Sequence, residues 1–242
     1  MYFGGYGNYY YGSGYNSYML WQILLIAIPF LLCLGAQLLV KSRYSKFSRI
    51  RNRRGLTGAQ AAYELLLANG VTNVRIMPTA GRLTDRYNPK DNTIYLSEGV
   101  YNSTSIAAVG IACHEAGHAC QYAKDYFPMK VRSKVIPMAN IGSMIGMPLC
   151  IIGIIFSFST LFYIGIILYS AVFLFQFATL PVEFNASKRA LQTIEQRGLL
   201  SAEEFKGAKA VLSAAALTYV ASMASSLLTI IRLLLIGGRR RQ

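Results

Sequence analysis

Long apolar segments constrain this chain more than any other feature, because each can cross a lipid bilayer as a helix. Residues 19–40 contain no charged side chain, and Trp21 near their start is typical of a membrane interface. Residues 137–158 and 161–180 are separated by a very short loop, which predicts a transmembrane hairpin. With 54% hydrophobic and 14% charged residues, the sequence predicts a mainly α membrane protein.

A fourth apolar segment, residues 211–236, leaves two interpretations open. It carries Arg232 and several serines, so it either spans the bilayer or lies against the other helices. The sequence therefore predicts three to four transmembrane or membrane-associated helices.

Basic residues flank these segments unevenly and predict their orientation. Lysine and arginine concentrate on the cytoplasmic side of membrane proteins, which places the amino terminus outside and the chain after the first segment inside. The flanking residues are Lys41, Arg43, Lys46, Arg49, Arg51, Arg53, Arg54, Lys130, Arg132, Lys134, Lys188 and Arg189. The arginines at 239–241 do not fit, because a fourth span would carry them outside.

The basic run after the first segment favours lipid over nucleic acid as its partner. It adjoins the membrane and belongs to no recognisable nucleic-acid-binding fold, so we expect contact with anionic headgroups and no nucleic-acid partner. Residues 1–18 are uncharged and rich in tyrosine and glycine. They predict a tail that is disordered or lies at the outer interface.

Residues 114–118 read His-Glu-Ala-Gly-His and contain both histidines of the chain. Residues four apart lie on one helical face, so His114 and His118 can bind one Zn²⁺ while Glu115 lies beside them. Zinc peptidases use this pattern, with a carboxylate that accepts a proton from the attacking water. The alternative is a chance match on a core helix, which we expect to cover residues 104–126.

A catalytic zinc site needs a third protein ligand, and the chain has no third histidine. Among only ten acidic residues, Glu183 is the best candidate. It follows the apolar hairpin and shares a helical face with Ala186 and Ser187, whose small side chains allow a close approach to the first helix. The alternative is an ordinary interfacial glutamate beside two basic residues.

Residues 41–135 predict a small soluble insert that contains both helix and strand. Residues 57–69 read as a helix that ends at Gly70, and residues 71–77 and 93–96 read as short strands around a turn-rich loop. We expect residues 93–97 to form an edge strand that pairs with the substrate backbone.

Five motifs together resemble the YugP-type family of neutral zinc metallopeptidases, integral membrane proteins of bacteria. They are Gly-Leu-Thr-Gly at 55–58, Leu-Thr-Asp-Arg-Tyr-Asn-Pro at 83–89 leading into Tyr-Leu-Ser at 95–97, the stretch at 114–118, Leu-Pro-Val-Glu-Phe-Asn-Ala-Ser at 180–187, and Ala-Ala-Leu-Thr-Tyr-Val at 215–220. The resemblance runs from about residue 19 to near the carboxyl terminus. It implies a zincin-like core of the minigluzincin type in the insert and a multi-pass protein of the bacterial cell membrane, and the basic flanks predict that the active site lies on the cytoplasmic side.

The segment that begins at Glu183 is also similar to the Glu-x-x-Ala-Asp signature of HtpX-like and CAAX-prenyl proteases. The glutamate of that signature is the third zinc ligand, so the resemblance implies this role for Glu183. Ser187 stands where those proteases have an aspartate that orients a zinc histidine. A hydroxyl can accept the same hydrogen bond but brings no charge.

These residues predict a membrane-embedded zinc metalloendopeptidase, with Zn²⁺ as its cofactor. Glu115 would act as the base, and Tyr219 or Arg189 would stabilise the oxyanion. The substrates would be peptides or membrane proteins, and the partners would be the lipid bilayer and either a membrane protein or a second copy of the chain.

Two other function classes stay open at this point. A zinc-binding, non-cleaving membrane scaffold or regulatory subunit would not need Glu115. A channel or transporter would need ionisable residues inside the spans, where Arg232 is the exception.

The sequence divides into six parts on this interpretation. They are a tyrosine- and glycine-rich tail (1–18), transmembrane helix 1 (19–40), a cytoplasmic zincin-like domain with the HExxH helix (41–135), a transmembrane hairpin (136–182), the third-ligand region (183–210), and the fourth apolar segment with the basic tail (211–242).

Overall fold

Helices dominate the fold, as the apolar segments predict. A computed structural model describes residues 9–239. Its elements are α1 (Tyr9–Phe47), α2 (Gly58–Ala68), β1 (Arg75–Thr79), β2 (Arg86–Asn88), β3 (Thr93–Ser97), α3 (Glu98–Tyr101), α4 (Ile106–Ala123), α5 (Phe127–Ile141), a π-helical turn (Gly142–Gly146), α6 (Met147–Ile155), α7 (Ser159–Gln196) and α8 (Ala202–Arg239). The prediction of a mainly α membrane protein with a small α+β insert is confirmed.

Four helical stretches within residues 9–239 are long and apolar enough to cross a membrane. They are Ser17–Phe47, Phe127–Ile155, Ser159–Gln196 and Ala202–Gly238. Each exceeds the roughly 20 residues that a transmembrane helix needs.

Helices α1 and α8 pack side by side over most of their length. A Cβ added at Gly207, early in α8, would lie 2.7 Å from the ring of Phe47 at the end of α1. Near the other end of the pair, Arg232 donates a hydrogen bond to Gln22 over 3.2 Å. The two helices are therefore antiparallel, and the 25 residues between Gly207 and Arg232 rise about 37 Å, more than the bilayer core.

The transmembrane hairpin is built from tightly packed small residues. A Cβ on Gly146 would lie 2.8 Å from the backbone nitrogen of Tyr169 and 3.0 Å from the carbonyl oxygen of Gly165 on α7. Such close backbone contact is the usual basis of helix packing in membranes, where hydrophobicity gives no preference for protein over lipid.

The insert places a three-stranded sheet beside α2 and α4. The strand order is β1-β3-β2, with β1 parallel and β2 antiparallel to β3. Thr57 caps α2 in a reciprocal arrangement with Gln60, and Ser105 caps α4 by accepting a hydrogen bond from the backbone of Ala108.

Three expectations about local structure are wrong. Residues 93–97 form the central strand and not an edge, because the loop at residues 84–88 contributes the unpredicted strand β2. Helix α4 ends at Ala123, since Asp125 adopts a positive φ of 53°. The first arm of the hairpin begins at Phe127, ten residues before the predicted start at Pro137, because lysine and arginine are good helix formers.

The amino-terminal tail is only partly described. Residues 9–18 belong to α1, so the prediction of disorder is wrong for them. The other residues of the predicted tail, 1–8, lie outside the described residues, as do Arg240 and Arg241.

Candidate metal centre

Three side chains converge where α4 passes α7. His114 and His118 lie one turn apart on α4, and their Nε2 atoms are 3.2 and 3.5 Å from Oε2 of Glu183 on α7. The ligand atoms of all three residues lie within 4.8 Å of one another. Only 3% of the Glu183 side chain is exposed. The spacing on α4 and the long connection to α7 thus bring the three predicted ligands together.

The donor set fits a zinc ion. Zinc bonds to imidazole nitrogen and carboxylate oxygen are about 2.0–2.2 Å long, which puts two ligands of a tetrahedral ion about 3.3–3.5 Å apart. The two Nε2–Oε2 distances agree with that separation. Burial lowers the pKa of His118, but the hydrogen bond that its ring donates to the Glu183 carboxylate and the negative charge of Glu115 outweigh burial, so the net pKa is raised. The centre therefore favours positive charge.

The second ring nitrogen of each histidine contacts a side chain that can fix its tautomer. Nδ1 of His114 is 3.1 Å from Oγ of Ser187, and Nδ1 of His118 is 3.0 Å from Oε1 of Gln121. An Nδ1–H that donates to these oxygens leaves the Nε2 lone pair for a metal.

Gln121 links the two helices of the site. Its Nε2 donates to the carbonyl oxygen of Val182 over 2.7 Å and to Oδ1 of Asn185 over 3.0 Å. Since both donor hydrogens are used, Oε1 must face His118. Arg189 donates to Oδ1 of Asn185 over 2.8 Å, so the guanidinium supports this network.

Glu115 is held by the edge strand β2. Its Oε2 accepts a hydrogen bond from the backbone N–H of Tyr87 over 2.9 Å. Asp85 anchors the start of that strand, because its carboxylate accepts hydrogen bonds from the backbone nitrogen and hydroxyl of Ser97. Burial raises the pKa of Asp85 despite these bonds, which lower it.

Arg132 of α5 contacts the third ligand from the opposite side. Its terminal nitrogen donates to Oε1 of Glu183 over 3.2 Å, so the two carboxylate oxygens face different partners. Its Nε is buried, and that N–H is therefore an enclosed donor without a partner among the described residues.

A cavity of about 260 Å³ connects these groups. Tyr219 lines it, whereas Arg189 does not. The lining residues are Asp85, Arg86, Tyr87, Pro89, His114, Glu115, His118, Met129, Arg132, Ser133, Ile136, Glu183 and Tyr219.

Comparison with known proteins agrees with this chemistry. A family model described as "Putative neutral zinc metallopeptidase" matches residues 22–238. The chain belongs to this zinc metallopeptidase family. It is also similar to the "Putative membrane protease YugP" of Bacillus subtilis, with 43% identity over 201 residues that cover 83% of this chain and 89% of the relative. No solved structure matches the chain.

Sequence reasoning missed three contributors to this candidate site, and it left open whether the loop at Asp85 and Arg86 lines the cleft or is solvated; both residues line the cavity. Gln121 could have been found from its position three residues after His118, which places it on the same helical face. Arg132 and the backbone N–H of Tyr87 come from distant segments, and no local pattern pointed to the contacts that they make.

Close approach of the two helices depends on Gly117. A Cβ there would lie 2.7 Å from the carbonyl oxygen of Ala186, a backbone atom that cannot move aside. We expect Gly117→Ala to destabilise the protein by about 1–3 kcal/mol and to weaken zinc binding, because α7 must shift. Thermal unfolding and zinc titration of the purified protein measure both effects.

Gly110→Ala in the same helix is the matched control. Its Cβ would meet Ala208 Cβ at 3.4 Å, an ordinary contact, and the helix gains up to about 1 kcal/mol. Equal losses in both variants would contradict the role assigned to Gly117.

The orientation of His118 yields a second prediction. Gln121→Ala removes the acceptor at Nδ1, so we expect zinc affinity to fall about 10–100-fold. Gln196→Ala, at the exposed end of α7, is the control and should leave the zinc affinity unchanged. Competition with a zinc-binding dye measures the affinity, and unaltered binding by Gln121→Ala would show that this contact does not orient the ligand.

Proposed function

We propose that this protein is a membrane-embedded zinc-dependent metalloendopeptidase that hydrolyses peptide bonds of membrane or membrane-proximal proteins. One observation carries the proposal: two imidazole nitrogens and a carboxylate oxygen converge in a cavity that Glu115 also lines. A site that only stores or senses zinc has no need for a second carboxylate held beside the ligands.

His114, His118 and Glu183 would hold the zinc ion. When bound, zinc supplies a Lewis acid that polarises the scissile carbonyl and lowers the pKa of water towards about 7. Glu115 accepts the proton of the attacking water and delivers it to the leaving amine. The hydrogen bond from Tyr87 engages one oxygen of Glu115 and fixes the carboxylate, while its other oxygen serves as the proton acceptor.

Arg132 and Tyr219 are the proposed stabilisers of the oxyanion. Both line the cavity, and Arg132 brings a guanidinium charge whose terminal nitrogen already donates a hydrogen bond to Glu183. A preorganised donor of this kind is worth about 10²–10³-fold in rate. Arg189, the other predicted candidate, instead supports Asn185. Ser187 keeps its proposed role of orienting His114.

We propose that the site faces the cytoplasm. The basic flanks on both sides of the site residues support this orientation by the positive-inside rule. Four spans with the amino terminus outside also place the carboxyl terminus outside. The arginines at 239–241 oppose that assignment, and the larger number of basic residues near α5 and after α1 favours it.

Cleavage of an unstructured test protein by the detergent-purified full chain tests the function. We expect wild type to cleave, and Glu115→Gln to lose at least 100-fold in rate while it still binds one zinc per chain, because the base is removed and the ligands are kept. A chelator should abolish cleavage, and added zinc should restore it.

Glu98→Gln, at an exposed position on α3, is the control and should cleave normally. Wild type that binds zinc but cleaves neither this substrate nor membrane-protein substrates would favour the non-cleaving scaffold.

A further inference from the structure

A groove that adjoins the metal centre is larger than the cavity that holds the three candidate ligands. It lies between α7 and α8 and has a volume of about 580 Å³, within the size range of small-molecule sites. Its walls are Phe184, Ser187, Lys188, Leu191, Gln192, Glu195, Phe205, Lys209, Leu212, Ser213, Ala216 and Leu217. Half of these residues are apolar, and they contribute most of the exposed wall of this open groove.

Two lysines lie at the same level of this groove. Lys188 is eight residues before the end of α7 at Gln196, and Lys209 is seven residues after the start of α8 at Ala202. Because the two helices are antiparallel neighbours joined by a short turn, these positions are about equally far from the turn. Neither side chain makes a hydrogen bond or an ion pair with a described residue.

The groove changes character along its length. Phe184 and Leu217 line the end nearer the apolar segments, and both are exposed, at 49% and 47%. Glu195 lies at the opposite end, next to the turn, and is the only acidic residue in the lining. Within the lining of the groove, the two lysines therefore attract an anion to their level, and Glu195 does not favour one at the end next to the turn.

We propose that this groove binds an anionic phospholipid, with its phosphate between Lys188 and Lys209 and an acyl chain along Phe184 and Leu217. A soluble anion would leave the apolar wall exposed to water, and a neutral lipid would leave the two cations unpaired. An anionic lipid satisfies both, and the two helices that form the groove are candidate membrane spans.

The site adjoins the metal centre through one residue. Ser187 lines the groove, and its hydroxyl is also 3.1 Å from Nδ1 of His114. The lipid would thus rest against the turn of α7 that carries Glu183. The proposal requires that the chain be embedded in a membrane and does not require proteolysis.

Native mass spectrometry of the full chain in nonionic detergent tests the proposal. The protein is equilibrated with equal amounts of phosphatidylglycerol and phosphatidylcholine, and the retained lipid is identified by mass. We expect wild type to retain phosphatidylglycerol preferentially. In Lys188→Gln/Lys209→Gln the ratio of retained phosphatidylglycerol to phosphatidylcholine should fall about tenfold, because two cations near the headgroup are removed.

Lys90→Gln/Lys206→Gln is the matched control, since it removes the same charge from exposed lysines outside the groove. It should behave as wild type. Ser213→Trp fills the groove without a change of charge and should lower the retention of phosphatidylglycerol by a similar factor. Thermal unfolding verifies that each variant is folded.

Three results would overturn the proposal. The first is an equal loss in the groove and control variants, which would mean that general surface charge attracts the lipid. The second is unchanged retention by folded Ser213→Trp. The third is displacement of the lipid by glycerol phosphate or an acidic peptide at the concentration of the lipid itself, which would identify a soluble occupant. Since the readout is lipid mass, failure of this proposal is distinguishable from failure of the proposed peptidase activity.

Discussion

Burial of the Glu183 carboxylate between α4 and α7 is the constraint on which the rest of the site depends. Removing a carboxylate from water costs several kcal/mol unless positive charge and hydrogen bonds replace the water. Two histidines and Arg132 surround this carboxylate, and the absence of a side chain at Gly117 lets α7 come close enough for them to reach it. The close packing of α7 on α4 therefore buries the Glu183 carboxylate, and the buried carboxylate needs positive charge nearby. A bound metal ion would supply that charge best.

The metal centre joins the membrane part of the molecule to the insert. Glu183 lies on α7 just beyond its most apolar stretch, and Arg132 lies on α5 in the other arm of the hairpin. The sheet contributes the backbone N–H that holds Glu115, through a strand that Asp85 anchors. A movement of the hairpin would displace Arg132 and Glu183 together, whereas a movement of β2 would remove the hydrogen bond from Tyr87 to Glu115.

The sequence was sufficient to predict the candidate metal ligands, because these follow from the spacing of two histidines and from the small number of acidic residues. Two histidines four residues apart on a helix must share a face, and with so few acidic residues Glu183 was the best candidate for a third donor. The family resemblance and the mainly α fold are confirmed. Contacts between distant segments were not predictable, because the sequence placed Arg132 in a basic membrane flank and residues 86–88 in a turn-rich loop. The edge-strand prediction was wrong for the same reason: strand order depends on which segments pair, and three residues at 86–88 carry too weak a pattern to reveal it.

X-ray absorption at the zinc edge of the purified full chain tests the central claim most directly. Our account predicts one zinc per chain with two imidazole nitrogens and carboxylate oxygen at about 2.0–2.2 Å, and no sulfur neighbour. Glu183→Ala should lose the carboxylate contribution and most of the affinity, while Glu195→Ala on the same helix should keep both. Zinc bound through cysteine sulfur at about 2.3 Å, or a spectrum and affinity that Glu183→Ala leaves unchanged, would contradict the site assigned to α4 and α7.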